Sequence, residues 1–167
     1  MSPPREATSP TQPYQQRPYR PCVGIMLINP AGCVFVGQRI DNQAEAWQMP
    51  QGGIDAGETA LAAALRELGE ETGVGEAMVE VLRVHDAWLE YDLPEVLADQ
   101  LWEGRYRGQT QKWFAMRFLG GDINIHTAEA EFSAWQWVDA GELPSKAVGF
   151  KRDIYKRLVE DFGDLLK

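Results

Sequence analysis

Three glutamates in the stretch RELGEETG, namely Glu67, Glu70 and Glu71, are the residues whose type and spacing most directly suggest chemistry. Each residue of a helix turns by about 100°, so the three carboxylates fall within an arc of about 100°. Like charges three or four residues apart on a helix repel, at a cost of about 0.2 to 0.5 kcal/mol per pair. The cluster therefore requires solvent or a counter-ion, and it is either a solvated helix face or a metal site.

A metal site of this composition would favour a hard cation. Mg²⁺ prefers oxygen ligands and binds through a few carboxylates, while water or substrate phosphates fill its other positions. Leu61, Leu65 and Leu68 occupy a neighbouring arc of the same helix, so we expect them to face a core while the carboxylates line its rim. The spacing alone leaves both interpretations open, because Glu-rich helices are also common on solvated surfaces.

The helix that must carry these glutamates is predicted over residues 59–72. Its apolar residues recur at spacings of three and four, and Gly73 supplies a C-terminal stop. Gly69 inside the helix is unfavourable by about 1 kcal/mol relative to Ala, so the helix should depend on packing. Upstream, WQMPQGGIDAGE is predicted to be a loop, because its proline and glycines interrupt regular structure.

The rest of the chain predicts strands on both sides of this helix. VGIMLIN and CVFVGQR flank the turn NPAG and predict a β-hairpin. VEVLRVHDAWLEYD, QKWFAMRFL and SAWQWV are rich in β-branched and aromatic residues and predict three more strands, with the less regular LPEVLADQLWEGRYRG between the first two. Residues 151–166 predict an amphipathic helix. This order of elements predicts an α/β fold, a sandwich with a mixed sheet between helices.

Composition limits the size and the partners of the protein. The 167 residues, 44% of them hydrophobic, fit one domain with a core. Residues 1–19 are rich in Pro, Ser, Thr and Gln and predict a flexible tail, which leaves residues 20–167 as the folded domain. The formal net charge of −9 argues against nucleic-acid binding driven by overall charge, and we expect no DNA partner. A polyanionic substrate stays compatible if metal ions supply local positive charge.

Cysteine usage and apolar runs bear on the compartment. Cys22 and Cys33 match no metal-ligand spacing and form no disulfide framework, so a reducing cytoplasm is predicted. The sequence contains neither a signal-type apolar segment nor an apolar run of membrane-spanning length, and we expect no membrane partner. His85 and His126 fall in no recognised motif and are predicted to be structural or surface residues.

The glutamates belong to a longer spaced pattern, GGIDAGETALAAALRELGEETGV. Its fixed positions here are Gly52, Glu58, Arg66, Glu67, Glu70, Glu71 and Gly73. This pattern resembles the signature of the Nudix hydrolases, over too many positions to be expected by chance. The resemblance implies a Nudix-type α/β/α sandwich and a loop–helix–loop that presents carboxylates to divalent metal ions clamping a pyrophosphate bridge. The implied reaction is attack of water on phosphorus.

The resemblance also implies roles for individual residues. It makes Glu67, Glu70 and Glu71 catalytic metal ligands, with Mg²⁺ as the first choice and Mn²⁺ or Zn²⁺ as alternatives. The main-chain carbonyl of Gly52 would be a further ligand. Glu131 matches a glutamate outside the signature that binds metal or helps to activate water, although its neighbour Glu129 leaves the general base open.

Two signature residues are expected to be structural. Glu58 and Arg66 look like support for the loop and helix, because Arg66 lies four residues before Glu70 and its forked guanidinium can orient carboxylates.

Segments outside the signature narrow the resemblance. YRPCVGI, WQMPQGGI, GQTQKWF, EFSAWQWV and VGFKRDIY are similar to segments of bacterial RNA 5′-pyrophosphohydrolases and of the related dinucleoside polyphosphate hydrolases. The implied substrate is the 5′ end of a triphosphorylated RNA, cut to a monophosphate as mRNA decay begins; the alternative is a diadenosine polyphosphate. A non-catalytic nucleotide- or RNA-sensing module is a third hypothesis, which the complete carboxylate set disfavours.

The same resemblance assigns residues to the substrate. Arg20, Gln51 and Lys112 would contact phosphates, and Arg39 and Phe150 would sandwich the first base, in agreement with the stacking that cations and aromatic rings provide. The residues alone leave Phe150 open to a core role, and Arg20 and Lys112 to ordinary surface positions. The full set implied to bind substrate is Arg20, Arg39, Gln51, Lys112, Phe150 and Lys151.

Overall fold

A computed structural model describes residues 12–40 and 46–166, and six strands of this part of the chain form one mixed sheet. The sheet has the order β4-β5-β1-β2-β6, with β3 paired to β1. The strands are β1 (Tyr19–Ile28), β2 (Val34–Arg39), β3 (Gln51–Gly53), β4 (Val79–Asp92), β5 (Gly108–Phe118) and β6 (Phe132–Val138).

Four α-helices accompany the sheet in the described residues. No helix within residues 12–40 and 46–166 combines the length and the apolar character needed to cross a membrane. The helices are α1 (Ala60–Thr72), α2 (Glu95–Gln100), α3 (Leu143–Lys146) and α4 (Arg152–Asp161).

The central strand β1 pairs with one strand along one edge and with two strands along the other. It pairs with β5 in parallel along its whole length, from Tyr19 to Ile28. Its other edge is shared, because β2 pairs antiparallel with it at Ile28 while β3 pairs antiparallel with it at residues 22–24. The predicted hairpin is therefore confirmed. The predicted loop is wrong at residues 51–53, because β1 offers this segment a free edge to pair with.

Helix α1 has the bounds that the sequence predicts. The side chain of Thr59 accepts a hydrogen bond from a main-chain N–H of the first turn, and Gly73 ends the helix with a left-handed φ of 73°. Leu68 is fully buried, but Leu61 is 41% exposed, contrary to the expectation that it faces the core. In the first turns of the helix the smaller residues Ala60, Ala63 and Ala64 face the core instead.

Helices cover both faces of the sheet, each over its own apolar cluster. On one face the residues of α1 pack with Ile25, Phe35 and Phe114. On the other face α4 packs with Met26 and Trp113. The observed architecture is thus the predicted sandwich. Ile154, Leu158 and Phe162, which the amphipathic pattern placed on one stripe, are all buried against this second face.

The segment between β4 and β5 is more ordered than the sequence suggested. It contains α2 followed by a 3₁₀ turn over Leu101–Gly104. Two consecutive residues of this turn, Trp102 and Glu103, have left-handed φ values of 47° and 61°. This conformation costs a residue other than glycine about 1 to 2 kcal/mol.

Residues 12–19, which composition placed in a flexible tail, make specific contacts. The hydroxyl of Tyr14 donates to the main-chain carbonyl of Leu93, Arg17 pairs with Asp99 at 2.7 Å, and β1 already begins at Tyr19. Composition does not reveal such partners, which lie some 80 positions away in the sequence. Residues 12–19 therefore include side chains that contact the folded domain, and residues 1–11 lie outside the described part of the chain. The tail boundary at residue 19 stays a prediction.

Candidate active site

Arg66 ties the loop before α1 to the helix. Its Nε and Nη2 atoms donate to the two carboxylate oxygens of Glu58 at 2.7 and 2.9 Å, and Nη2 also donates to the Gly53 carbonyl at 2.9 Å. Its Nη1 atom lies 3.0 Å from Glu67 and 3.3 Å from Glu70. These hydrogen bonds from Arg66 lower the pKa of Glu58 to about 2. One guanidinium thus fixes the glutamates relative to the loop.

Glu67 and Glu71 form a pair of hydrogen-bonded carboxyl groups inside the protein. Glu71 is 3% exposed, and its Oε1 atom accepts from the main-chain N–H of Gln51 at 3.4 Å. Burial raises the pKa of Glu71 well above its usual range, and the charge of Glu67 raises it further. Burial also raises the pKa of Glu67. Two buried carboxyl groups with raised pKa values are difficult to ionise at the same time. A bound cation would favour the charged form of each, so the pair is suited to bind one.

The main chain of Gly52 lies directly against this carboxyl pair. A Cβ atom at this position would lie 2.0 Å from the carboxyl carbon of Glu67, so no larger residue fits without displacing the glutamate. Among the described residues, no three acidic, His or Cys side chains form a complete metal cage. Mg²⁺ does not require one, because it commonly binds one or two carboxylates together with substrate phosphates. The carboxyl oxygens of Glu67 and Glu71 therefore fit a hard divalent cation beside the main chain of Gly52, and Glu70 lies at the solvated rim.

Glu131 reaches this site from the segment before β6. Its Oε1 atom lies 3.2 Å from Nη1 of Arg39, a residue that lines the adjoining cleft, and its charge contributes to the raised pKa of Glu71. The hydroxyl of Thr127 in the same segment donates to the main-chain carbonyl of Glu70. The end of α1 therefore holds the segment that carries Glu131.

A cleft of about 500 Å³ adjoins the glutamates. One wall carries Phe150, which is half-buried and stacks on Tyr91 with a ring separation of 5.5 Å and an interplanar angle of 23°. The strained turn after α2 contributes Leu101 and Trp102 to the lining. The lining residues are Arg39, Gln48, Gln51, Tyr91, Leu93, Leu97, Leu101, Trp102, Gln109, Val148, Phe150 and Lys151.

Lys151 is a buried cation at the floor of this cleft. It is 7% exposed, and its Nζ atom donates to Oε1 of Gln48 at 3.1 Å and to Oε1 of Gln51 at 3.2 Å. Burial lowers the pKa of Lys151 to about 7, and the charge of Arg39 acts in the same direction. A bound phosphate would favour the protonated form, so this lysine can supply a positive charge where an anion needs it.

Arg20 lies beside the same loop. Its guanidinium stacks over the Trp102 ring at 4.7 Å, and a Cβ atom on Gly53 would lie 2.3 Å from its Nη2 atom. Its Nη1 atom donates to Sγ of Cys22 at 3.4 Å. Burial raises the pKa of Cys22 to about 11, so this thiol stays protonated and is not a nucleophile.

Lys112 is the one expected substrate residue that does not reach the cleft. Side chains alternate along β5, so Gln109 and Gln111 point to one face and Lys112 to the other. Its Nζ atom donates to the main-chain carbonyl of Asp86 at 3.1 Å and lies over Trp88. The structure instead gathers around the cleft the other five residues expected to bind substrate, which are Arg20, Arg39, Gln51, Phe150 and Lys151.

Sequence reasoning missed several polar residues of the site, namely Gln48, Tyr91, Gln109 and Gln111. A signal was present in QTQKW, which overlaps the start of the predicted strand QKWFAMRFL. If that strand begins at least two residues earlier, as it does in the structure, two glutamines and a tryptophan occupy alternate positions and share one face. Of the histidines, His85 is buried and lies 2.6 Å from Asp161, and His126 is exposed.

Comparison with known proteins decides the family. A model of the NUDIX domain matches residues 18–158. The chain belongs to the Nudix family. It is 54% identical over 155 residues to the RNA pyrophosphohydrolase of Sphingopyxis alaskensis, covering 92% of this chain and 98% of that protein. It is 58% identical over 147 residues to the RNA pyrophosphohydrolase of Roseobacter denitrificans, covering 87% of this chain and 92% of that protein.

Solved Nudix structures share the fold. The dihydroneopterin triphosphate pyrophosphohydrolase of E. coli superposes with a TM-score of 0.67 at 21% identity, over 87% of this chain and 99% of that chain. An Ap4A hydrolase of C. elegans gives a TM-score of 0.64 at 16% identity, over 87% of this chain and 98% of that chain. The predicted Nudix sandwich is confirmed, and this Nudix protein is a hydrolase of phosphoanhydride bonds.

Proposed function

We propose that this Nudix protein is a metal-dependent pyrophosphohydrolase that converts the 5′-triphosphate end of RNA to a 5′-monophosphate and so initiates mRNA decay. One observation carries the proposal. A single cleft is lined both by the aromatic stack on Phe150 and by Gln51, whose main-chain N–H donates to the buried Glu71 behind it. In a nucleotide substrate the base would stack on Phe150, and the polyphosphate attached to it would extend past Gln51 towards the carboxyl pair. The names of the close relatives support the same substrate.

In this proposal the carboxylates work as one unit. Glu67, Glu70 and Glu71 hold a divalent cation, Mg²⁺ in first place, together with the Gly52 carbonyl. When bound, the cation neutralises charge on the phosphates and lowers the pKa of a bound water. Glu131 acts as the general base that accepts the proton of the attacking water, for which a carboxylate within reach is chemically sufficient.

The cleft residues bind the substrate. Arg39 and Phe150 sandwich the first base, because a guanidinium and an aromatic ring both stack on a π-face. Lys151, Gln51 and Arg20 donate to phosphate oxygens. Recognition of one RNA end needs few such contacts, so it is compatible with an acidic protein.

The decisive experiment compares two substrates under one metal condition. Purified protein with Mg²⁺ is given a 5′-triphosphorylated RNA oligonucleotide or diadenosine tetraphosphate, and products are followed by chromatography. We expect a higher kcat/KM for the RNA, with a 5′-monophosphorylated product. Negligible turnover of the RNA would overturn the proposal.

The second candidate function is hydrolysis of dinucleoside polyphosphates. The wall formed by Leu97, Leu101 and Trp102 favours it, because an additional aromatic surface beside the cleft suits a second nucleoside. The solved Ap4A hydrolase of C. elegans has the same fold. A higher kcat/KM for diadenosine tetraphosphate in the comparison above would establish this alternative.

A substitution in the base sandwich tests the substrate pose. Phe150→Ala should raise KM for RNA by about tenfold, because stacking on an aromatic ring is worth about 1 to 3 kcal/mol per base. Trp88→Ala, which removes a 45% exposed tryptophan outside the cleft, is the matched control and should leave KM unchanged. A Phe150→Ala protein that is unfolded by circular dichroism would instead assign Phe150 to the core.

We infer a cytoplasmic location for this activity. Both cysteines are free, Cys22 buried and Cys33 half-buried, which a reducing compartment allows. Fractionation of cells that produce the protein would test the inference, and recovery in the membrane fraction would contradict it.

A further inference from the structure

The cleft is backed by a chain of buried amides that begins at Trp113. The indole Nε1–H of Trp113 donates to Oε1 of Gln111 at 3.1 Å, and these two side chains are 0% and 1% exposed. An indole N–H can only donate, so the oxygen of the Gln111 carboxamide must point to Trp113. Its NH₂ group must therefore point the other way.

The next link reaches the substrate side of the cleft. The Nε2 atom of Gln111 donates to Oε1 of Gln51 at 3.0 Å and to Oε1 of Gln109 at 3.2 Å. Lys151, a second group that can only donate, approaches the same Gln51 oxygen at 3.2 Å. Two donors thus hold the oxygen of Gln51 against the protein, and its NH₂ group is directed to the side of the Tyr91 hydroxyl and the cleft that both residues line. An NH₂ group has two hydrogens, so a second one can serve a ligand in the cleft.

We propose that Gln111 and Trp113 are positioning residues that fix the direction of the Gln51 carboxamide, so that the cleft presents an N–H donor and not a carbonyl oxygen to the substrate. Phosphate oxygens are acceptors, so the reverse direction would place lone pairs against an anion. The inference rests on the proposed function only in that the cleft binds polyphosphate.

Gln51 also connects the buried amides to the Glu67–Glu71 carboxyl pair by hydrogen bonds. Its main-chain N–H donates to Oε1 of Glu71 at 3.4 Å, while its side chain accepts from Gln111. A substitution at Gln111 can therefore act on phosphate binding through Gln51 without contact with the substrate. If the amides serve only to satisfy one another in the core, changes at Gln111 will alter stability alone.

Two variants separate these roles. Gln111→Glu keeps an oxygen for Trp113 but places a second carboxylate oxygen where the donor to Gln51 was. This oxygen attracts the NH₂ group of Gln51 against the remaining donor Lys151, so the Gln51 amide should reverse. Trp113→Phe removes the indole N–H and frees Gln111 to rotate. We expect KM for triphosphorylated RNA to rise about tenfold in Gln111→Glu and less in Trp113→Phe, with kcat changed by less than about twofold, as for loss of one hydrogen bond to a charged group.

Each variant is repeated with Gln51→Ala as a double-mutant cycle. If Gln111 and Trp113 act through Gln51, their effect on KM should fall to less than about twofold when Gln51 is already alanine. Gln15→Glu, which adds the same charge on an exposed residue, is the control for charge and should leave KM unchanged. Equal rises in KM with and without Gln51, or a lower melting temperature with unchanged KM, would overturn the proposal.

A second readout keeps this test independent of the RNA assignment. Binding of inorganic tripolyphosphate in the presence of Ca²⁺, measured by calorimetry, needs neither turnover nor a nucleobase. The same pattern of weakened binding across the cycle would support the positioning role even if RNA is not hydrolysed. Hydrolysis of RNA by all variants with unchanged tripolyphosphate affinity would overturn the positioning role and leave the proposed function intact.

Discussion

Glu58 and Glu71 belong to the same signature, yet their surroundings act on them in opposite directions. Glu58 accepts two hydrogen bonds from Arg66, which lower its pKa to about 2. Glu71 is buried beside Glu67, and burial raises its pKa well above the usual range. The negative charge of Glu58 is balanced by the guanidinium of Arg66, whereas burial and the neighbouring Glu67 disfavour the charged form of Glu71. A bound metal ion would stabilise the charged form of Glu71, so Glu71 is the carboxyl group suited to bind one.

The largest expected effect follows from exchanging each carboxylate for its amide. Glu71→Gln should lower kcat for RNA by at least about a hundredfold, because a group that stabilises the transition state is commonly worth that much. It should not lower the melting temperature in the absence of metal, since it removes a buried acid. Steady-state kinetics and thermal unfolding measure both. Glu58→Gln is the matched change, and a greater loss of kcat in that variant would reverse the comparison.

A change at Gly52 should displace the Glu67–Glu71 carboxyl pair without altering its charge. Gly52→Ala would force the carboxylate of Glu67 to move, and we expect metal affinity to fall about tenfold or more, as for other losses of ligand orientation. Titration of Mg²⁺ against activity measures it. Gly163→Ala, where an added Cβ meets nothing within 4 Å, is the control. Unchanged Mg²⁺ dependence would separate Gly52 from the metal site.

The stabilising effect of Mg²⁺ should depend on pH. A carboxyl group whose pKa is raised in the folded state contributes to the stability of the fold at low pH. This contribution is lost as pH rises above the unfolded pKa, because the unfolded chain then releases the proton more readily than the folded one. Because the pKa values of Glu67 and Glu71 are raised, their contribution to the stability of the metal-free protein decreases above their unfolded pKa of about 4.5. A cation relieves this, so the rise in melting temperature on adding Mg²⁺ should grow with pH. In Glu71→Gln the rise in melting temperature on adding Mg²⁺ should depend less on pH. A rise that is the same at every pH in the parent protein would contradict the prediction.

The smallest effect is expected from Glu58 in acid. Its folded pKa is lowered, so its contribution to stability is present above its unfolded pKa of 4.5 and is lost as pH falls towards about 2. Glu58→Gln should therefore lower the melting temperature at pH 7 by less than about 4 °C and flatten its fall between pH 4.5 and 2. An acid profile identical to the parent protein would show that the Arg66 contacts do not persist in solution.

Local signals account for what the sequence could predict. Thr59 and Gly73 mark the ends of α1 by their own chemistry, and the signature supplies the order of the carboxylates. The parallel pairing of β1 with β5 joins residues that lie nearly 90 positions apart, so the meeting of Gln51 with Gln111 could not be read locally. The position of Lys112 could not be read locally either. The resemblance implied a phosphate contact and the residue alone left a surface position open, and the alternation of β5 turns its side chain away from the face of Gln109 and Gln111.

The strained turn after α2 also bears on engineering. Glu103→Gly should stabilise the fold, because glycine adopts the left-handed conformation freely and the exposed Glu103 side chain can be dispensed with. The same change at the preceding residue would relieve similar strain but would remove the indole on which Arg20 stacks. Trp102 and Glu103 thus share the left-handed backbone conformation but differ in use. Replacement of Glu103 offers a route to a more thermostable protein, whereas Trp102 must stay because its ring contacts the guanidinium of Arg20.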